Sequence, residues 1–310
     1  MPAYLTRRTV LLGGATLPWA AACQSGSPEP APTRSTSSSN PAPSKSTPSQ
    51  STPSPDLTAL ETSLGTLIGA WALDTGNGVT VSHRADERFG LNSTFKVLAA
   101  AAVAQRGGLD RVVRWTRADL VAHSPITEQH VDDGLPLEQV CAASVTHSDN
   151  AAGNLLLKEL GGPGGVTRFV RTLGDDATRL DRWEPALNAF TPGDPQDTTT
   201  PAAIGRTLQR LVLGDGLDGT ARALVTSWLR ANTTGNLRIR AGLPSDWTVG
   251  DKTGTGDQYG AANDIAVAWP PSGAPIVYAI YTRRPTEDEE RDESVVARTA
   301  TILTRALGRL

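Results

Sequence analysis

Lysine is nearly missing from this sequence: of 29 basic residues only Lys45, Lys96, Lys158 and Lys252 are not arginine. Arginine therefore serves almost everywhere that a solvated positive charge suffices. Arginine cannot lose its proton in a protein, whereas lysine can when its surroundings lower its pKa, so a retained lysine is a candidate for proton transfer. Cysteine is also scarce, with Cys23 and Cys141 alone. If Cys23 is processed or modified, Cys141 has no partner, and a disulfide framework is excluded. The four histidines, His83, His123, His130 and His147, show neither H-x-H nor H-E-x-x-H spacing, which leaves a zinc hydrolase unsupported and no metal or other cofactor expected. Blocks of one-signed charge are lacking and the net charge is −3. Nothing marks a nucleic-acid footprint, and a small-molecule partner is expected.

Long apolar runs are missing too. The longest, from Val10 to Ala22, is too short for a resident membrane helix. It follows Thr6-Arg7-Arg8, a twin-arginine pair resembling a Tat export signal, and ends at Ala20-Ala21-Ala22-Cys23, which resembles a loose lipobox that would leave Cys23 lipidated and the chain tethered to a membrane. Plain cleavage after the A-x-A site at residues 20–22 is the alternative, with the chain secreted. Residues 1–23 are thus an export segment. Residues 24–56 are rich in Ser, Pro and Thr with almost no large apolar side chain, so they cannot bury enough surface to offset ordering entropy and read as a flexible spacer.

The pattern changes at Asp56, a plausible N-cap for a helix carrying Leu57, Leu60, Leu64, Leu67 and Ile68. Strands are expected over 69–74 and 79–83, joined through Asn77-Gly78, a pair suited to a tight hairpin turn. Helical periodicity then dominates over 95–105, 137–145, 151–160, 166–173, 201–213 and 220–232. Strands return at 247–251, 261–269 and 275–282, and 294–307 closes as a helix. Strands at both ends around a block of helices predict an α+β fold: an α/β/α sandwich whose antiparallel sheet is built from both termini, with an inserted all-helical lobe. The folded domain is expected over 57–310, its α/β lobe from 57–86 and 233–310 and its helical lobe from 87–232. The cleft between the lobes is the natural site.

Ser93 and Lys96 stand at i and i+3 at the start of an apolar helix, so an amine lies beside a hydroxyl. A serine becomes a good nucleophile only when a base takes its proton, and a partly buried lysine suits that work. Alone, S-x-x-K also reads as a capping serine with a snorkelling lysine. Residues 97–104 are all apolar, which argues for a buried helix and against that reading. Ser148-Asp149-Asn150 precedes another apolar helix and by itself reads as a capping cluster. Lys252-Thr253-Gly254 follows a short strand and by itself reads as a polar strand edge with a turn glycine.

Together and in this order, S-x-x-K, S-D-N and K-T-G resemble the motif set of class A β-lactamases and penicillin-binding proteins. Arg182-Trp183-Glu184-Pro185-Ala186-Leu187-Asn188 is similar to the R-x-E-x-x-L-N loop that separates class A enzymes from those proteins. The resemblance spans about residues 57–310 and implies an exported serine hydrolase, monomeric, that opens β-lactam rings and confers antibiotic resistance. Ser93 would be acylated, with Lys96 or Glu184 acting through water as the base. Glu184 and Asn188 would hold the deacylating water, and Ser148, beside Lys252, would pass a proton to the ring nitrogen. Thr253, Thr255 and Arg238 would hold the substrate carboxylate, Asn150 its side-chain amide, and the Ser93 and Thr255 N–H groups the oxyanion.

Asp197 matches the family's acidic partner of Arg182. Arg240, two residues beyond Arg238, is assigned to structure on the expectation of strand alternation. His123 stands at the cleft rim where the family carries an aromatic. Two alternatives remain: a D-alanyl-D-alanine peptidase, which E-x-x-L-N argues against, and an exported lipoprotein that binds β-lactams or wall peptides without turnover, which has no need of Glu184.

Overall fold

The computed structural model describes residues 54–310. The export segment, Cys23 and all but the end of the spacer lie outside the described residues. In chain order the elements are α1 (Pro55–Leu64), β1 (Leu67–Asp74), β2 (Thr80–His83), β3 (Phe89–Gly90), α2 (Phe95–Arg106), β4 (Val112–Val113), β5 (Leu135–Pro136), α3 (Leu137–Thr146), α4 (Asn150–Glu159) and α5 (Gly164–Thr172). They continue with β6 (Thr198–Thr199), α6 (Pro201–Val212), α7 (Gly219–Arg230), β7 (Thr248–Thr255), β8 (Ala262–Trp269), β9 (Ile276–Arg283) and α8 (Ser294–Ala306).

The expected α+β architecture is what forms. One five-stranded sheet has the order β2-β1-β9-β8-β7, antiparallel throughout, so the N-terminal hairpin is sealed to the C-terminal strands through β1 and β9. Strand alternation divides the core. Ile68, Ala70 and Ala72 of β1 and Ile276, Tyr278 and Ile280 of β9 pack with α1 and α8, while Trp71, Leu73, Val277, Ala279 and Tyr281 face the helices on the other side.

The first helix differs from expectation at both ends. It starts at Pro55, with Ser54 rather than Asp56 at the N-cap, and Gly65 in the left-handed region stops it. Leu67 and Ile68 open β1 instead, because β9 supplies a ladder for them. The helical lobe over 87–232 also needs correction. Helix α6 lies against β1, β8 and β9 as the inner layer of the sandwich. Gly205 permits that approach: a Cβ there would lie 2.3 Å from the Trp71 ring. Helix α2 runs through the remaining helices, against α3, α4, α5 and α7, and every residue from Phe95 to Ala104 is buried, Lys96 included. No helix among the described residues is long and apolar enough to cross a membrane.

Candidate active site

Ser93 lies in a 3-10 turn, Asn92–Thr94, that leads directly into α2. It thus lies two residues before the α-helix, and the turn still points its Oγ at Lys96, whose Nζ donates at 3.0 Å. Lys96 is fully buried. Its ammonium also donates to the Ser148 carbonyl at 2.7 Å and to Asn150 Oδ1 at 2.5 Å, and it lies 3.0 Å from Glu184 Oε1. Burial pulls the Lys96 pKa below the usual lysine value, with the Glu184 charge opposing that shift. Gly153 lets α4 rest on the lysine stem, since a Cβ there would approach Lys96 Cε to 3.1 Å.

Ser148 sits between α3 and α4 with φ +55°, a conformation uncommon for residues other than glycine. What holds it is Asp149, fully buried. One oxygen of Asp149 caps α4 through the Ala152 N–H at 2.8 Å, and the other accepts from the Ile126 and Thr127 N–H groups at 2.9 Å each. Ser148 Oγ faces Lys252 Nζ at 3.1 Å and Lys96 Nζ at 3.4 Å. One hydroxyl therefore bridges the two buried lysines. Burial and the charge of Lys96 push Lys252 well below the usual lysine range.

Lys252-Thr253-Gly254 was expected after a strand that ended at residue 251. The strand in fact runs through it to Thr255, because β8 pairs with every residue from Thr248 to Thr255. Gly254 brings this edge against the Ser93 turn: a Cβ there would lie 3.0 Å from the Leu91 carbonyl.

Glu184 projects from the loop between α5 and β6 and is 3 % exposed. Its Oε1 is 3.4 Å from Ser93 Oγ, and its Oε2 accepts from Asn188 Nδ2 at 2.7 Å. The bond to Pro185 is cis. Arg182 and Asp197 form the expected pair at the neck of the loop, where Asp197 Oδ1 also accepts from the backbone of Asp181 at 2.7 Å and of Arg182 at 3.0 Å.

Arg238 does not line the cleft. The segment after it is a 3-10 turn, Ile239–Gly242, not the strand that the alternation argument assumed. The Arg238 guanidinium is 3 % exposed and donates at 2.7 Å each to the carbonyls of Gly254 and Asn263 and to Thr255 Oγ1. With that oxygen accepting, the Thr255 hydroxyl proton is free to point outward. Thr253 Oγ1 in turn meets Thr234 Oγ1 at 2.5 Å. Arg240 turns the other way onto Asp251, at 2.6 Å. His123 is exposed at the rim, with φ +59°.

Three supporting residues escaped the sequence reading. Asn154 brackets the Glu184 backbone, donating to its carbonyl and accepting its N–H at 2.9 Å each. Asn92 and Asn263 link Asn188 to the sheet. The only signal available was position: Asn92 adjoins Ser93, and Asn154 lies four residues after Asn150.

The model of the beta-lactamase enzyme family matches residues 53–307. The carbapenem-hydrolyzing beta-lactamase KPC of Klebsiella oxytoca is 51 % identical over 254 residues, 80 % of this chain and 87 % of that protein. The crystal structure of a beta-lactamase from Streptosporangium roseum superposes with a TM-score of 0.81 at 52 % identity, covering 82 % of this chain and 98 % of the other. A variant of the last common ancestor of Gram-negative bacteria beta-lactamase class A gives a TM-score of 0.78 at 48 % identity, over 82 % and 97 %. With half of all residues shared across the described fold, the chain belongs to the beta-lactamase enzyme family as a class A serine hydrolase.

Proposed function

We propose that Ser93 opens the β-lactam amide and that Glu184 directs the water that frees it again. The observation that carries this is the carboxylate facing the nucleophile: Glu184 Oε1 lies 3.0 Å from Lys96 Nζ and 3.4 Å from Ser93 Oγ. In acylation Ser93 Oγ attacks the lactam carbonyl, its proton passing to Lys96 directly or through water to Glu184. The tetrahedral oxyanion collapses, the C–N bond breaks, and the ring nitrogen takes a proton through Ser148 from the lysine pair, to which Glu184 hands on the Ser93 proton where it received it. Water then attacks the ester, giving a proton to Glu184, and as the C–O bond breaks the Ser93 oxygen takes that proton back through Lys96. Burial shifts both lysines toward the neutral form, the form in which Lys96 can accept a proton. Thr253 and Thr255 offer hydroxyl donors to the substrate carboxylate with Arg238 supporting Thr255 from behind, and Asn150 meets the side-chain amide.

The test is steady-state hydrolysis of a chromogenic cephalosporin and a penicillin, with intact mass spectra, for the wild type and Glu184→Ala. Turnover that collapses to a trapped Ser93 adduct in Glu184→Ala is the expected result. A wild type that acylates once and stops would mark a peptidase-like protein, and a wild type without any adduct would leave only binding.

The site is assembled from a single chain, which supports a monomer. Export rests on Thr6-Arg7-Arg8 and the apolar run, and tethering on Cys23. Fractionation of expressing cells with mass analysis of the mature N-terminus tests both, a diacylglyceryl adduct on Cys23 separating an anchored form from a secreted one.

A further inference from the structure

We infer that Asn92 is a positioning residue for deacylation: its side-chain amide sets the orientation of Asn188 and, through it, the hydrogen bond that Glu184 receives. The inference rests on the reading of Glu184 and Asn188 as the deacylation pair. Four hydrogen bonds run head to tail from the sheet to the carboxylate. The Thr282 N–H donates to Asn263 Oδ1 at 3.3 Å, and Asn263 Nδ2 donates to Asn92 Oδ1 at 2.8 Å. Asn92 Nδ2 donates to Asn188 Oδ1 at 3.3 Å, and Asn188 Nδ2 donates to Glu184 Oε2 at 2.7 Å.

The two ends fix the sense of the whole chain. A backbone N–H can only donate and a carboxylate can only accept, so each amide between them has one workable orientation. Turning Asn92 over would set its NH2 against that of Asn263 and its oxygen against that of Asn188. Both hydrogens of the Asn188 Nδ2 are used, by Glu184 and by the Pro185 carbonyl at 3.1 Å, and Asn92 donates to its Oδ1, which keeps a second lone pair for water. Both N–H groups of Asn263 are likewise used, the second going to the Gly90 carbonyl at 2.9 Å. Such chains polarise along their length, which strengthens the last bond, the one on Glu184.

The site suits an asparagine and little else. Asn92 is fully buried with φ +45°, a region asparagine tolerates better than most residues. Its amide is also enclosed, since a Cβ on Gly256 would come within 3.1 Å of Asn92 Nδ2. Acylation can draw on Lys96, which holds Ser93 Oγ directly at 3.0 Å, whereas deacylation depends on Glu184 and Asn188, so the effect is larger on the second half-reaction.

The test measures acylation and deacylation rates separately, by stopped flow and quenched-flow mass spectrometry, in the full-length protein. Asn92→Gly keeps the backbone at ease and removes the amide. Deacylation is expected to slow by about tenfold to a hundredfold relative to acylation, the scale of one hydrogen bond to a charged group. Asn92→Asp is the second variant. Its carboxyl mimics the amide only while protonated, so its deacylation should fall as pH rises where the wild type does not. Acylation and deacylation slowed by the same factor, or a deacylation pH profile of Asn92→Asp identical to wild type, would overturn the proposal. Asn188→Ala, run in parallel, separates the two readings. If it fails to accumulate acyl-enzyme, the deacylation assignment itself is wrong; if it accumulates acyl-enzyme and the Asn92 variants do not, only the role of Asn92 is lost. Asn92→Gly added to Asn188→Ala should cause no further loss of deacylation.

Discussion

The two walls of the cleft are held by different chemistry. On the loop side, Glu184 is the lone charge facing Lys96, and its supports are neutral amides: Asn154 on its backbone, Asn188 on its carboxylate and Asn92 behind Asn188. On the strand side, Lys252 sits in a file of buried charges, with Asp251 pairing Arg240, Arg238 beneath Thr255, and Asp264 fully buried opposite Thr253 in the ladder. Amides orient a carboxylate without adding charge, so Lys96 is the one cation that Glu184 meets. A file of charges instead sets the field at Lys252, and it does so at a high cost in desolvation.

The sharpest way to break this contrast is to make a lysine permanently charged. Lys96→Arg should lower kcat by about a thousandfold, since guanidinium cannot surrender a proton, and the loss should appear in burst kinetics as slow acylation. Next in size are the wall supports themselves, measured by denaturant unfolding. Asp251→Ala strands Arg240 and Asn232, which now meet that carboxylate at 2.6 Å each, and should cost about 3–5 kcal/mol. Asn154→Ala should cost about 2 kcal/mol, because it unpairs two backbone groups and no charge. Equal losses in the two variants would erase the distinction between the walls.

A smaller effect comes from pH. Burial, with the charge of Asp251 added, raises the Asp264 carboxyl well above its ordinary 3.8. Between those values the folded protein keeps a proton that the unfolded chain has lost, so stability falls as pH rises through the window. Asp264→Asn mimics the protonated acid at every pH and should flatten that fall in melting curves taken across acid and neutral pH. The smallest change is Lys158→Arg. Lys158 is 53 % exposed and pairs with Asp119 on the surface, so stability should stay within about 0.5 kcal/mol and hydrolysis should be unchanged. That result beside Lys96→Arg would separate retained lysines that work from one that does not.

Much of the machinery could be read in advance because it is local. Ser93 and Lys96 meet across one helical turn, and Glu184 reaches Asn188 within its own loop. The apolar stretch from Val97 to Ala104 foretold that Lys96 would be buried. Where local pattern and tertiary context disagreed, context prevailed. Leu67 and Ile68 fit a helix by spacing but were taken by the β9 ladder, and residues 252–255 joined β7 because β8 runs alongside them. Arg238 was legible as a cation near the site, but its place behind Thr255 was not.

By itself, then, the sequence determined the order of the motifs, the periodic helices around them and the split between a polar front end and a folded domain, since all of these depend on residues a few positions apart. Only the tertiary structure decided which side chains share a proton or an amide bond. Ser148 meets Lys96 across 52 residues and Lys252 across 104, and Asn92 meets Asn263 across 171. Such partnerships follow from sheet topology and the close approach of packed elements, and short-range periodicity carries no record of either.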